Sequence, residues 1–528
     1  MSESVGSVRA VRAYLRSKGR APAGLLDRYV TVFCLVLFVA VAGRPLSGVF
    51  AGLAGPVDPA RMGAGVVLLA LAVAGFLAVA RSAGPVLLPA PDASWLLMSP
   101  LDRRLLLARP ARMLCTVAVA MGVLLGMGML AVLGAPDHLV WRVLGALALG
   151  VSASVGGMAL AVLGQVSQSW QLWLTGAIAA LLVLSAVAVS GQLRTVLAVA
   201  ASAPLTALAA AVAAAAVAAG LLVRQASASL GRIPTRTLVT ASTRAGHVAS
   251  ATMSLDPGAL TWIAEDNHWR ARKLGSRRWP SMPAPFALAW HDWRRLGRRP
   301  GRLAAIAATA ALPLVLAQAG ASPAVLGAAV LAGGLAVAAT STSGARRDAD
   351  NPALARLIGV GHRPALAARA VLPALLSGTW AAMALAGLAL AHDASSGAAL
   401  AHAPAVVHDL SSGTALTEDA ATGLPVAWWL FGPLAAPTLA AGALRMARRA
   451  PVDHSMPVID TPGGSIPTGP IFWAATGPDL ALLGCLPTAM ALASQPASPG
   501  PFLAAQAAVS AVVLAGYVWR ARSAGKAR

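Results

Sequence analysis

Residues 62–80 read MGAGVVLLALAVAGFLAVA, an unbroken run with no charge in it. An α-helix of that length crosses a hydrocarbon layer of about 30 Å. Inside lipid each backbone N–H and C=O must find its partner within the segment, and a helix achieves this. Runs of this kind recur from one end of the chain to the other. Twelve spans are predicted, at 29–49, 62–80, 113–133, 143–164, 171–190, 196–222, 303–320, 322–341, 370–391, 424–444, 471–492 and 501–519. The expected fold is therefore all-α, a polytopic membrane protein. Composition agrees: 57% of the 528 residues are hydrophobic and only 11% are charged, far too little polar surface for a soluble domain. The basic first 30 residues lead into a long apolar run without a small-residue cleavage site, so they are not read as a removable signal.

The charges set an orientation. With the N-terminus in the cytoplasm and the spans alternating, only Arg44, Arg61, Arg142 and Arg194 fall outside. The other 37 of the 41 Lys and Arg fall inside. The longest outer loop, 392–423, carries Asp393, Asp409, Glu418 and Asp419 and no basic residue. That is the asymmetry of the positive-inside rule, and it places both termini in the cytoplasm. The net charge of +22 then belongs to an inner skirt beside anionic lipid headgroups. A nucleic-acid role would need a soluble basic domain, and none is evident. Only Lys18, Lys273 and Lys526 are lysines; with so much Ala, Gly and Pro, this points to a GC-rich bacterial genome.

The chain reads as a duplication. SVRAVRAYLRSKGR (7–20) precedes the first span and FALAWHDWRRLGRRPGR (286–302) precedes the seventh. Each is an amphipathic basic helix suited to the inner interface. In the second, Phe286, Trp290, Trp293 and Leu296 form the apolar stripe, with Trp290 and Trp293 at headgroup level. Each helix is followed by two spans and then a cytoplasmic segment: WLLMSPLDRRLLLARPAR (95–112) in the first half, NPALARLIGVGHRPALAARA (351–370) in the second. A shift of 259 positions lays Arg104 on Arg363 and Leu107 on Leu366. Three parts follow: a first six-span half at 1–223, a cytoplasmic linker at 224–285 with Trp262, Trp269 and Trp279, and a second half at 286–528. Repeated halves are a frequent transporter design.

Catalytic chemistry is scarce. No G-x-x-x-x-G-K-[ST] phosphate loop occurs, nor H-E-x-x-H. Cys34, Cys115 and Cys485 are scattered through apolar runs. His402, His408 and Asp409 share the outer loop, where loop polarity explains them better than a metal; no metal site is assigned. Asp479, inside FWAATGPDLALLGCLP, is the acid set deepest in an apolar run. It is either an intramembrane polar site or the first turn of a helix that restarts after Gly477-Pro478, where the helix dipole favours an acid.

LLMSPLDRRLLLAR resembles a degenerate segment of the permease subunits of bacterial ABC-2-type exporters. It matches through Leu96, Leu97, Ser99, Pro100, Arg103, Arg104, Leu106 and Leu107. In that family the segment follows the second span, an amphipathic helix precedes the first, and a unit has six spans; this chain looks like two units fused. The second half keeps Arg363 but lacks the Ser-Pro pair and the double Arg. The resemblance implies a permease in the bacterial cytoplasmic membrane that exports an unidentified substrate and binds no cofactor itself. ATP would sit on two separate P-loop ATPase subunits gripping Leu97, Pro100, Arg103, Arg104 and Leu107, and Arg363 and Leu366 in the second half. Two rival readings remain. One is a twelve-span secondary transporter driven by an ion gradient, for which Asp102-Arg103 is reminiscent but Leu105, Leu106 and Leu107 stand where a glycine and two arginines belong. The other is a non-transporting membrane scaffold.

Overall fold

The computed structural model describes residues 59–253, 281–395, 426–450 and 458–520, with short breaks at 87, 89–92, 94–95, 97–101, 135–137, 190–191, 358, 462–463 and 497. The first basic helix, the first span, the three linker tryptophans, and His402, His408 and Asp409 lie outside these residues, as do Leu97 and Pro100. The protein is all-α and polytopic. Among the described residues ten helices are long and apolar enough to cross a membrane; a two-stranded ribbon, β1 (Val458–Thr461) and β2 (Gly464–Pro467), is the exception to helix. The chain divides into two compact units, one of 1–249 with 460–465, the other of 250–459 with 466–528.

The first unit holds α1 (Pro59–Ala83), α2 (Arg103–Leu133), α3 (Leu139–Val166), α4 (Gln168–Val189), α5 (Arg194–Ala201), α6 (Leu205–Ser229) and α7 (Thr235–Met253). Small residues decide how α2 and α3 meet. A Cβ on Gly150 would run into the backbone at Gly122 and Gly126, so the two helices touch backbone to backbone. In lipid this close approach replaces the hydrophobic drive that water would supply. The outer faces carry Leu124, Val117, Leu172 and Leu221, all exposed; in water such a belt would aggregate, and in hydrocarbon it is the solvated surface.

The ends of the spans meet as alternation requires. At one end Arg142 Nη2 donates to the Ala203 carbonyl at 3.3 Å. At the other, the Val86 N–H donates to Gln165 Oε1 (3.1 Å) and the Leu88 N–H to Ser242 Oγ (3.3 Å). The stretch after Ser229 is not a free linker. A 3-10 turn (Leu230–Arg232) leads into α7, whose Leu238, Ala241 and Ser242 are buried on one face. The predicted linker therefore folds with the first unit as far as residue 249.

The second unit holds α8 (Ala284–Gly297), α9 (Pro300–Thr309), α10 (Leu312–Gln318), α11 (Pro323–Thr340), α12 (Ser343–Asp350), α13 (Pro352–Leu357), α14 (His362–Ser395), α15 (Phe431–Ala447), α16 (Thr468–Ala475), α17 (Pro478–Gly484), α18 (Leu486–Ser494) and α19 (Gly500–Arg520). Its core centres on Trp380, Trp428, Phe431, Leu376 and Leu385. Trp380 buries its ring against Gly333 and donates its indole N–H to Thr309 Oγ1 at 3.0 Å, which removes the cost of a buried unpaired donor.

The span predicted at 471–492 is a correction. It is three short helices, broken at Gly477 (φ +109°) and again at Cys485. Pro487, which has no N–H to give to the Leu483 carbonyl, falls at the second break. Gln506 of α19 bridges it. Its Nε2 donates to the Gly484 carbonyl (2.9 Å), and its Oε1 accepts the Thr488 N–H (3.2 Å) and hydroxyl (2.8 Å). Gly484 C=O and Thr488 N–H are the pair an unbroken helix would join directly. A side-chain amide has been inserted into the ladder, so the Gly484 carbonyl and the Thr488 N–H are both paired.

Candidate functional site

α2 starts where the sequence places a cap. The Asp102 side chain accepts the Arg104 N–H at 2.9 Å, satisfying one of the first-turn donors. Leu106 and Leu107 then turn inwards onto Val86, Leu88, Ala93, Ile233 and Leu238; Leu107 has no exposed surface at all. Arg104 reaches sideways. Its Nη2 donates to the Ala228 carbonyl at 2.7 Å, and its stem lies against Gly231. Ala228 belongs to the last turn of α6, where carbonyls lack helical partners and a cation is favoured. Arg104 is thus a cap on a neighbouring helix of the same unit. Arg103, Arg109 and Arg112 are exposed at this corner, as is Arg104 beyond its bond to Ala228.

These positions revise the sequence reading of the motif. Leu107 was expected on a partner surface, and it is interior. Arg104 was expected to grip a partner; its Nη2 is bonded to the Ala228 carbonyl while the side chain stays exposed. Arg103 is placed where a partner could reach it. The equivalent loop of the second unit is also turned inwards. Leu366 is buried with Ala345, Ala370 and Leu444, and the Arg363 guanidinium stacks 4.6 Å from the Trp519 ring.

Beside that loop is a charged cluster that the sequence reading passed over. Arg369 of α14, 6% exposed, donates through Nη1 to Asp292 Oδ1 of α8 at 2.6 Å. Through Nε and Nη2 it donates to both oxygens of Asp348 on α12, at 2.9 and 3.2 Å. The fork geometry fits a carboxylate bidentately, and with both acids in place the buried guanidinium is neutralised. Gly344 leaves room for it: a Cβ there would meet the Arg369 guanidinium and the Asp292 carboxylate. The cluster pins α8 to the unit by Leu288, Asp292 and Leu296, all buried. Phe286, Trp290 and Trp293 are left on the opposite, exposed face. The predicted stripe thus loses Leu296 to the core, and the two tryptophans face outward as an interfacial helix requires. The one available signal was Asp292 itself, the lone acid in an arginine-rich helix.

Asp479 is no isolated intramembrane acid. It lies in the first turn of α17, accepts the N–H groups of Gly477 and Leu480 at 2.7 and 2.6 Å, and pairs with Arg445 at 3.0 Å. Arg448 approaches His362 at 3.1 Å, and Arg449 lies 4.2 Å from the Trp473 ring and donates to the Trp473 carbonyl. In this unit, arginines, acids and aromatics therefore gather at the ends of α14, α15, α16 and α19 that the charge count puts on one side.

A family model covers residues 58–418, more than half of the chain. The chain belongs to DUF6297, a family of unknown function. No curated protein and no solved structure matches it. The DUF6297 match takes in both loops, the cap at Asp102 and the Arg369 cluster, and ends before Gln506.

Proposed function

We propose that the chain is the membrane-spanning subunit of an ATP-driven exporter in a bacterial cytoplasmic membrane, powered by two separate P-loop ATPase subunits that dock at its basic ends. The observation that carries this reading is the corner at the head of α2. A coupling element must be rigid enough to transmit a displacement and must offer something to hold. Rigidity comes from the buried Leu106 and Leu107, the Asp102 cap and the Arg104–Ala228 bond. The hold comes from Arg103, Arg109 and Arg112, whose guanidinium groups suit acidic side chains. In the second unit Arg363 and Leu366 are engaged within the chain, so the firmer grip falls on the first unit. The chain lacks a phosphate loop, so ATP belongs to the partner.

An ion-gradient mechanism finds less support. None of the ten candidate spans among the described residues contains an Asp or Glu, and proton or cation coupling draws on such residues within the membrane. The exported substrate is left open by the family and by the geometry alike.

The test is Arg103→Glu with Arg109→Glu, compared with wild type for recovery of the ATPase at matched membrane levels. Arg104 is spared, because losing it would also uncap α6. Reversing exposed charges does not prevent insertion, since the other inner basic residues still hold the orientation. Breaking charge pairs at an interface costs about 2–5 kcal/mol, so recovery should fall at least about tenfold. Equal recovery would reduce this corner to an orientation signal.

A further inference from the structure

In the first unit, α1, α3, α4 and α7 enclose a cavity of about 400 Å³ at the basic end. That is within the size range of small-molecule sites. Its charge is one-signed: Arg81 and Arg244 supply charge, Gln165, Gln168 and Gln171 supply amides, and among the described residues no lining residue is acidic. Arg244 Nε is buried with no hydrogen-bond partner among the described residues. An unpaired guanidinium N–H is costly to bury, and in a well-packed protein it calls for a missing acceptor. Gln165 Oε1 is committed to the Val86 N–H at 3.1 Å, which leaves its Nε2 as a donor. The Thr240 hydroxyl spends its proton on helix carbonyls and adds no donor. α4 begins at Gln168 on the cavity wall, so the positive end of its dipole also faces this space.

We infer that this cavity binds a phosphate-bearing anion, held between Arg81 and Arg244 with the glutamine amides as further donors. Phosphate fits the donor set: it takes several N–H bonds at once, and arginine is suited to it. The cavity sits where α1 and α3 end and α4 starts, at headgroup level, so an anionic phospholipid headgroup and a soluble phosphate ester are both able to reach it. The inference does not depend on an ATPase partner.

The experiment uses the full-length chain, purified in detergent and stripped of lipid. Dihexanoyl phosphatidylglycerol and glycerol phosphate are titrated separately, with bound molecules counted by native mass spectrometry. One saturable site is expected. Binding of the lipid alone identifies a headgroup site, and binding of both identifies a soluble phosphate ester; either supports the inference. Arg81→Gln with Arg244→Gln should weaken binding by roughly tenfold or more, the scale of lost charged hydrogen bonds. The double lysine variant should retain much of it. Thr240→Trp, which fills the cavity from its exposed rim without touching a charge, should also block binding, and Arg142→Gln at the opposite end should not. No binding of either probe, or equal binding by wild type and the double glutamine variant, would overturn the inference. The arginines would then serve only the dipoles of the helix ends around them.

Discussion

Gln506 shows how much one side chain can decide. It lies in LAAQAAVSAVV, an apolar run in which a lone glutamine looks incidental. In three dimensions it bridges Gly484 and Thr488 and donates to Ser510 Oγ at 2.7 Å, which in turn is bonded by the Thr438 hydroxyl at 2.8 Å. The sequence cannot reveal this, because the groups it serves are on other helices and its own periodicity is unremarkable. Gln506→Leu keeps the approximate volume and removes the bridge. Two buried backbone groups are then unpaired, so the variant should lose about 1–3 kcal/mol of stability, seen as a lower unfolding midpoint in detergent. An unchanged midpoint would mean that Pro487 and packing hold the break at Cys485 without the bridge.

At the scale of elements, the spans with a clear start and stop were legible, since run length and flanking charge are local properties. Pro59–Ala83, Leu139–Val166 and Gly500–Arg520 contain their predicted runs. The failures share a cause. Hydropathy makes α17 and α18 one span, because it does not register the break that falls at Pro487 and that a glutamine on another helix bridges. α7 was read as linker because its buried face of Leu238, Ala241 and Ser242 is narrow and its partner, the loop after α1, is some 150 residues away. The amphipathic character of α8 was legible; its anchor was not, because Arg369 is 77 residues from Asp292. That anchor can be tested as a unit. Arg369→Ala strands a buried carboxylate and should cost about 3–5 kcal/mol. Adding Asp292→Ala should cost less than the two single effects summed, since the pair is lost only once. Limited trypsin digestion should cut the Arg369→Ala protein faster within Arg294–Arg299. Additive losses with unchanged digestion would show that α8 is held by its leucines instead.

For the molecule as a whole, each unit holds a loop that returns from a span and is locked into that unit, while exposed arginines remain at the basic ends. The displaced alignment of the sequence lays Arg104 on Arg363 and Leu107 on Leu366. The structure shows that the leucines at both positions point inwards, whereas one arginine caps a helix and the other stacks on an indole. The common feature is anchorage, and in the first unit the exposed Arg103, Arg109 and Arg112 stand beside the anchor. The claim that rests on this is that the chain moves something only when an ATPase pushes on that corner. The direct measurement is ATP hydrolysis by the chain purified from its native membranes, under mild conditions that keep partners and again after a stringent wash that strips them. ATP turnover is expected in the first sample, carried by a P-loop subunit, and lost in the second. A mild preparation that holds no P-loop ATPase and hydrolyses no ATP, yet moves a substrate in vesicles when only an ion gradient is supplied, would contradict it.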